Sequence, residues 1–132
     1  MDDKTEIRIP VGAIVSADLT VSNADETLAF YQAVIGWGTE GLPMKDEQGA
    51  YADHVLKDDK ENWVGGICHR RGMNADLPPG WMVYIQVEDI AHSLERCQQL
   101  GGEVLKRSHL KNGDLQYAVI KDPAGAILAL TH

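Results

Sequence analysis

Residues 12–21, Gly-Ala-Ile-Val-Ser-Ala-Asp-Leu-Thr-Val, alternate in character. Val15, Ala17, Leu19 and Val21 fall on one side, and Ser16, Asp18 and Thr20 on the other. A period of two marks a half-buried strand. At Asn23-Ala-Asp-Glu26 the pattern becomes a helix start, with Asn23 as N-cap and Glu26 at the third helical position. Leu28, Tyr31, Val34 and Ile35 then supply an apolar stripe at helical spacing, and Gly36 closes the helix as a left-handed cap.

The second half follows the same order. From Met82 to Val87, Val83, Ile85 and Val87 share one face, while Met82, Tyr84 and Gln86 share the other. Asp89 caps a helix whose stripe is Ile90, Leu94, Cys97 and Leu100, ended by Gly101-Gly102. The halves superpose at an offset of 66 positions, pairing Val21 with Val87, Asn23 with Asp89, Leu28 with Leu94 and Gly36 with Gly102. Caps, stop signals and strand phases coincide together, which identifies an internal duplication.

After each helix come short apolar runs, roughly 39–44, 50–57 and 62–69 in the first half and 103–107, 115–121 and 126–131 in the second. Asn112-Gly113-Asp114 and Asp122-Pro123-Ala124-Gly125 are turn signals between strands. Gly72 to Gly80, with Pro78-Pro79, reads as the connection between modules. The pattern predicts one α+β domain over 1–132. It comprises two tandem βαβββ modules, about 10–72 and about 80–132, forming a curved mixed sheet with helices on one face. The uncovered face of such a sheet is a trough suited to a small molecule. Ser16, Asp18, Thr20, Met82, Tyr84 and Gln86 are expected to line it.

Composition narrows the classes. Twenty acidic against twelve basic residues give a net charge of −8, which disfavours nucleic acid and anionic membranes as partners. Two cysteines, Cys68 and Cys97, form no disulfide framework. Met1-Asp2-Asp3-Lys4 lacks the apolar stretch of a secretory signal, and no apolar run approaches the length of a membrane span. A cytoplasmic protein is expected. There is no phosphate-cradling glycine loop, dinucleotide fingerprint or nucleophile elbow.

Leu28-Ala-Phe-Tyr-Gln-Ala-Val-Ile-Gly-Trp37 resembles the "FY…LGW" helix of the vicinal oxygen chelate family of glyoxalases, bleomycin-resistance proteins and extradiol dioxygenases. Leu100-Gly-Gly-Glu-Val and Asp122-Pro-Ala-Gly-Ala-Ile-Leu-Ala-Leu130 resemble that family's "GG" and "DP-x-G" segments. The resemblance covers nearly all of residues 12–132, and its closest flavour is the glyoxalase-like proteins of unknown activity. It implies small-molecule chemistry in the trough and often a homodimer. In metal-dependent members, ligands come from the first and last strand of each module. Those places fall here at Ser16, near Gly66, at Met82 and at Ala129. None offers a nitrogen or carboxylate donor, so no metal and no other cofactor is expected at the family's position. A relocated site using His54 or Cys68 stays open.

Asp18, mid-strand and facing the trough, is the candidate catalytic acid or base; a structural carboxylate bonded to backbone or to Tyr84 is the alternative. Ser16, Thr20, Tyr84 and Gln86 are candidates for orienting a ligand. Cys68, Met82 and Tyr117, with Trp63 and Trp81, could line its walls. Arg70, beside Arg71, could hold an anionic group at the rim. The residues admit two main functions. One is a small-molecule-binding protein, sequestering an aromatic or drug-like compound as in the bleomycin-resistance branch. The other is a lyase, isomerase or dioxygenase-like enzyme using Asp18 or a relocated metal. An accessory protein with a vestigial trough is the third class.

Overall fold

The computed structural model describes residues 8–132 and places a strand, a helix and three strands in each half of the chain. The acidic start Met1-Asp2-Asp3-Lys4 lies outside the described residues. In the first half these elements are β1 (Ile14–Val21), α1 (Ala24–Val34), β2 (Gly38–Asp46), β3 (Gly49–Lys57) and β4 (Trp63–His69). In the second half they are β5 (Trp81–Gln86), α2 (Ile90–Gln99), β6 (Glu103–His109), β7 (Leu115–Lys121) and β8 (Ile127–Thr131). A single turn of 3-10 helix, Gly72–Asn74, interrupts the connection between them. The fold is α+β with two βαβββ modules.

Two compact units result, Ser16–Met82 and a second made of Val83–His132 with the residues up to Val15. The first unit has strand order β2-β3-β4-β1, with β1 parallel to β4 and the other pairs antiparallel. The second has order β5-β8-β7-β6, again with one parallel pair, β5 and β8. Identical order and identical placement of the parallel pair match the duplication seen in the sequence. The segment before β1 is bound to the second unit: Gly12 N donates to Gln86 O at 2.7 Å, and Gln86 N donates to Ala13 O at 2.9 Å.

Strand alternation sets each core. In the first unit Leu19, Leu56 and Ile67 meet Ala24 and Leu28 of α1, with Val21, Tyr31 and Trp37 packed around them. In the second, Ile90 and Leu94 of α2 meet Ala118 and Leu130. Both apolar stripes are shorter than their spacing suggests. Val34, Ile35 and Leu100 are 64, 52 and 65% exposed. Val34 lies about 80° around the helix from the stripe that joins Ala24, Leu28 and Tyr31. Ile35 and Leu100 sit at the C-caps, where the chain leaves the sheet at the left-handed glycines Gly36 and Gly101. Asp89 caps α2 by accepting from His92 N at 3.4 Å. Asn23 holds the equivalent place before α1, but its side chain accepts from the Thr27 hydroxyl and caps no backbone N–H. Among the described residues no helix is long and apolar enough to cross a membrane.

The parallel β1–β4 pair, with Ala17 opposite Gly65 and Asp18 opposite Gly66, tolerates no side chain at Gly65. A Cβ there would collide with the Ala17 carbonyl oxygen, which is backbone and cannot swing away. A Cβ at Gly41 of β2 would meet the Ala52 Cβ at an ordinary 3.7 Å. Gly65→Ala is therefore expected to cost on the order of 2–4 kcal/mol in urea unfolding. Gly41→Ala should stay within about 0.5 kcal/mol of the native chain, and equal losses for the two would refute this account of β4.

Candidate functional site

Register in the first unit puts Asp18 opposite Gly66, Thr20 opposite Cys68, and Val55 of β3 on the other side of Gly66. Side chains of alternate residues from three adjacent strands therefore point to one place. They enclose a cavity of about 190 Å³ lined by Ser16 and Asp18 of β1, Asp53, His54 and Val55 of β3, and Gly65, Gly66 and Cys68 of β4. Leu42 and Trp63, both largely exposed, add apolar walls. Gly66 makes room for the carboxylate, since a Cβ at that position would lie 2.9 Å from Asp18 Oδ1 and 3.4 Å from His54 O. Wider open clefts, about 720 and 890 Å³, flank α2 and residues 8–11 in the second unit. The first is bounded by the start of α2 and the C-terminal residue, and the second by residues 8–11 with Val15, Gln86 and Thr131 at strand ends.

Ser16, Asp18 and Cys68 thus share one cavity. Thr20, on the same face of β1, is 3% exposed and lies outside its lining. Arg70 turns back onto β1, its Nη2 donating to the Thr20 carbonyl at 2.8 Å. Arg71 forms a two-pronged pair with Asp46, each bond 2.8 Å, and lies 4.1 Å over the Tyr51 ring. Met82 is buried. Trp81 joins Tyr31 and Trp37 in an aromatic cluster and donates to the Tyr31 hydroxyl at 3.2 Å. In the second unit Tyr84 and Tyr117 form an edge-on pair with ring centres 6.0 Å apart, and the backbone of Gln86 holds residues 12 and 13.

The opposite face of β3 and β4 carries a second group of donors that no motif announced. His54 Nε2 lies 2.7 Å and His69 Nε2 3.5 Å from Asp25 Oδ1. Asp53, 2% exposed, accepts from His69 N at 2.8 Å and contacts His69 Nδ1 at 3.3 Å. Strand alternation could have placed His54 beside Leu56, facing α1. Only the β3–β4 register, with His54 opposite Ile67, brings His69 to it. The hydrogen bond with His54 is the largest influence on the Asp25 carboxyl and holds it below its ordinary range, against the opposing effect of burial and with further lowering from the electrostatics of His69 and His54.

Electrostatics in the cavity keep Cys68 protonated. Burial is the largest cause, and the carboxylates of Asp18 and Asp53 push the thiol further upward, with a hydrogen bond to Asp53 acting in the same direction. A thiolate there would face two negative charges in a desolvated site. In a Cys97→Ser background, Cys68 should react with iodoacetamide at pH 8 about 100-fold more slowly in the folded protein than in urea. Comparable rates in the two states would show that the cavity does not suppress the thiolate.

A glyoxalase-like domain model matches residues 15–131. "Putative glyoxylase CFP32", from Mycobacterium bovis (strain ATCC BAA-935 / AF2122/97) and from Mycobacterium tuberculosis (strain CDC 1551 / Oshkosh), is 25% identical over 113 residues covering 86% of this chain. The chain spans 42% of the length of these curated relatives. Among solved structures, a variant of the Streptomyces coelicolor methylmalonyl-CoA epimerase in complex with 2-nitronate-propionyl-CoA aligns with TM-score 0.55 and 15% identity, covering 92% of this chain and 94% of that one. The epimerase of Mycobacterium tuberculosis aligns with TM-score 0.55 and 12% identity, covering 96% and 91%. A hypothetical protein of Bacillus halodurans C-125 aligns with TM-score 0.57 and 12% identity, covering 91% and 93%. At these identities the structural likeness speaks for the fold alone. With nearly the whole chain matched by the domain model, the protein belongs to the glyoxalase-like family, within the vicinal oxygen chelate superfamily.

Proposed function

We propose that this chain is a small-molecule-binding protein that holds its ligand at the Asp18 cavity of the first module. The observation that carries this reading is the mixture of surfaces there. Val55, Leu42 and Trp63 supply apolar contact, while Ser16, Asp18 and Cys68 supply a few fixed polar atoms. At about 190 Å³, the cavity is smaller than the usual 300 Å³ or more of ligand sites. It suits a small compound or one end of a larger one. That a structural neighbour carries 2-nitronate-propionyl-CoA supports a small-molecule role for the fold without naming this chain's ligand.

Charge selects the ligand class. Two carboxylates, Asp18 and Asp53, border the cavity, and both nearby guanidinium groups are engaged within the protein, with Thr20 and with Asp46. An anionic group would enter against this field. The site therefore favours a neutral or cationic aromatic compound that donates a hydrogen bond to Asp18. Two cysteines outside any disulfide accord with a cytoplasmic setting.

Catalysis through Asp18 is the alternative, favoured by the position of its carboxylate within the cavity. A thermal-shift screen should divide the classes. Neutral and cationic aromatics are expected to raise Tm, and carboxylates and acyl-CoA esters to leave it unchanged. Asp18→Asn should weaken any such ligand by roughly 10- to 100-fold, the loss of a charge-assisted bond. Ser16→Phe, which fills the cavity, should abolish binding while leaving the circular dichroism spectrum native. If Ser16→Phe bound as tightly as the native chain, the ligand would have to lie elsewhere. Turnover of a bound compound that Asp18→Asn abolishes without loss of affinity would establish the enzymatic alternative.

A further inference from the structure

Asp25, His54 and His69 come from α1, β3 and β4, far apart in sequence, yet their donor atoms all lie within 4.8 Å of one another. Both imidazoles aim Nε2 at the same oxygen, Asp25 Oδ1. The rings are well enclosed, with side chains 16 and 17% exposed, whereas Asp25 is 79% exposed. His69 is held from three sides. Asp53 binds its backbone N–H and its Nδ1, the Tyr51 ring stands edge-on at 5.6 Å, and the His54 ring lies at 5.8 Å. Asp53 is itself fixed by Asn74, whose Nδ2 donates to Oδ2 at 3.4 Å.

This arrangement has an electronic consequence. When Nδ1 of His69 donates to Asp53, the neutral ring presents its Nε2 lone pair to the Asp25 carboxylate at 3.5 Å, a gap that a proton or a metal ion can fill. Carboxylate–imidazole pairing of the Asp53–His69 kind is the usual outer support of a metal-bound histidine, where it sets the tautomer and aims the free nitrogen. A tetrahedral ion with bonds of about 2.0–2.1 Å separates its donors by about 3.3 Å. The His69–Asp25 distance already fits. The His54–Asp25 distance of 2.7 Å is a direct hydrogen bond and would open by roughly half an ångström, a movement the exposed Asp25 side chain can make.

We propose that Asp25, His54 and His69 form a binding site for a divalent transition-metal ion, zinc by its two-nitrogen, one-oxygen donor set, with Asp53 positioning His69. The site lies on the α1 side of β3 and β4. It borders the Asp18 cavity, whose lining includes Asp53 and His54, but draws no ligand from Ser16, Asp18 or Gly66. Three protein donors leave a fourth position on the exposed side for water or another ligand.

The test uses the untagged chain, stripped with EDTA and dialysed, then titrated with Zn²⁺ by calorimetry and with Co²⁺ by visible absorption. One equivalent is expected to bind at micromolar affinity or tighter, with intense Co²⁺ bands of a tetrahedral centre. His54→Ala and His69→Ala should each weaken Zn²⁺ at least about 100-fold. Asp53→Asn should weaken it by roughly 10- to 100-fold, the range for an outer-shell partner. Asp25→Asn alters an exposed residue whose variant should fold, and it too must lose affinity. Asp18→Asn should bind as the native chain does, which separates this site from the ligand cavity. In the native chain, Zn²⁺ should move the ring-proton NMR signals of His54 and His69 before those of His92, His109 and His132. Binding below a tenth of an equivalent at 100 µM Zn²⁺ would overturn the proposal, as would native affinity in folded Asp25→Asn and His69→Ala variants. Either result would leave the three residues as a hydrogen-bonded cluster only.

Discussion

The contact on which the first module depends is the parallel pairing of β1 with β4, and that pairing depends on the absence of a side chain at Gly65. Because the Ala17 carbonyl occupies the space a Cβ would need, the two strands can hold their observed register only with glycine at 65. That register sets both faces at once. On one, Asp18 lies over Gly66 beside Cys68; on the other, Leu19 and Ile67 join the core beneath α1. Neighbouring residues of β4 therefore face different partners, Cys68 sharing a cavity with Asp18 and His69 meeting Asp25, with Asp53 in contact with both.

Short-range periodicity carried most of the architecture. The change of period at Asn23 and again at Asp89, followed by glycine stops, was enough to locate both helices and both first strands. Its failures are physical. Val34, Ile35 and Leu100 are apolar at helical spacing, but the helix ends beyond the sheet that would cover them. Asn23 is a good capping residue that bonds a threonine hydroxyl in place of the backbone. Alternation similarly sufficed to put Ser16 and Asp18 on one face. It could not place Thr20, whose burial depends on what lies over the end of the strand, nor Arg70, which turns back to the Thr20 carbonyl.

The Asp25–His54–His69 group lay beyond such reasoning for another reason. Sequence reasoning left a relocated metal site open at His54 or Cys68, but nothing in the sequence linked His54 to Asp25 or His69. Their meeting depends on long-range facts, the pairing of His54 with Ile67 across β3 and β4 and the seating of α1 on that pair through Leu28. Periodicity within one element carries no information about register between elements. The family resemblance directed attention to the opposite face, where its usual ligand positions hold serine, glycine, methionine and alanine.

The residues between β4 and β5 are anchored at both ends. Arg71 is clamped to Asp46 and Tyr51, while Trp81 is wedged against Tyr31 and Trp37. Tethering of this kind means that lengthening the intervening segment mainly adds chain-closure entropy, about 0.6 kcal/mol per doubling of length. The stretch itself is not idle, since Leu77 is buried and Asn74 bonds Asp53. A flap or recognition loop can therefore be accommodated only beyond Leu77, around Pro78 to Gly80.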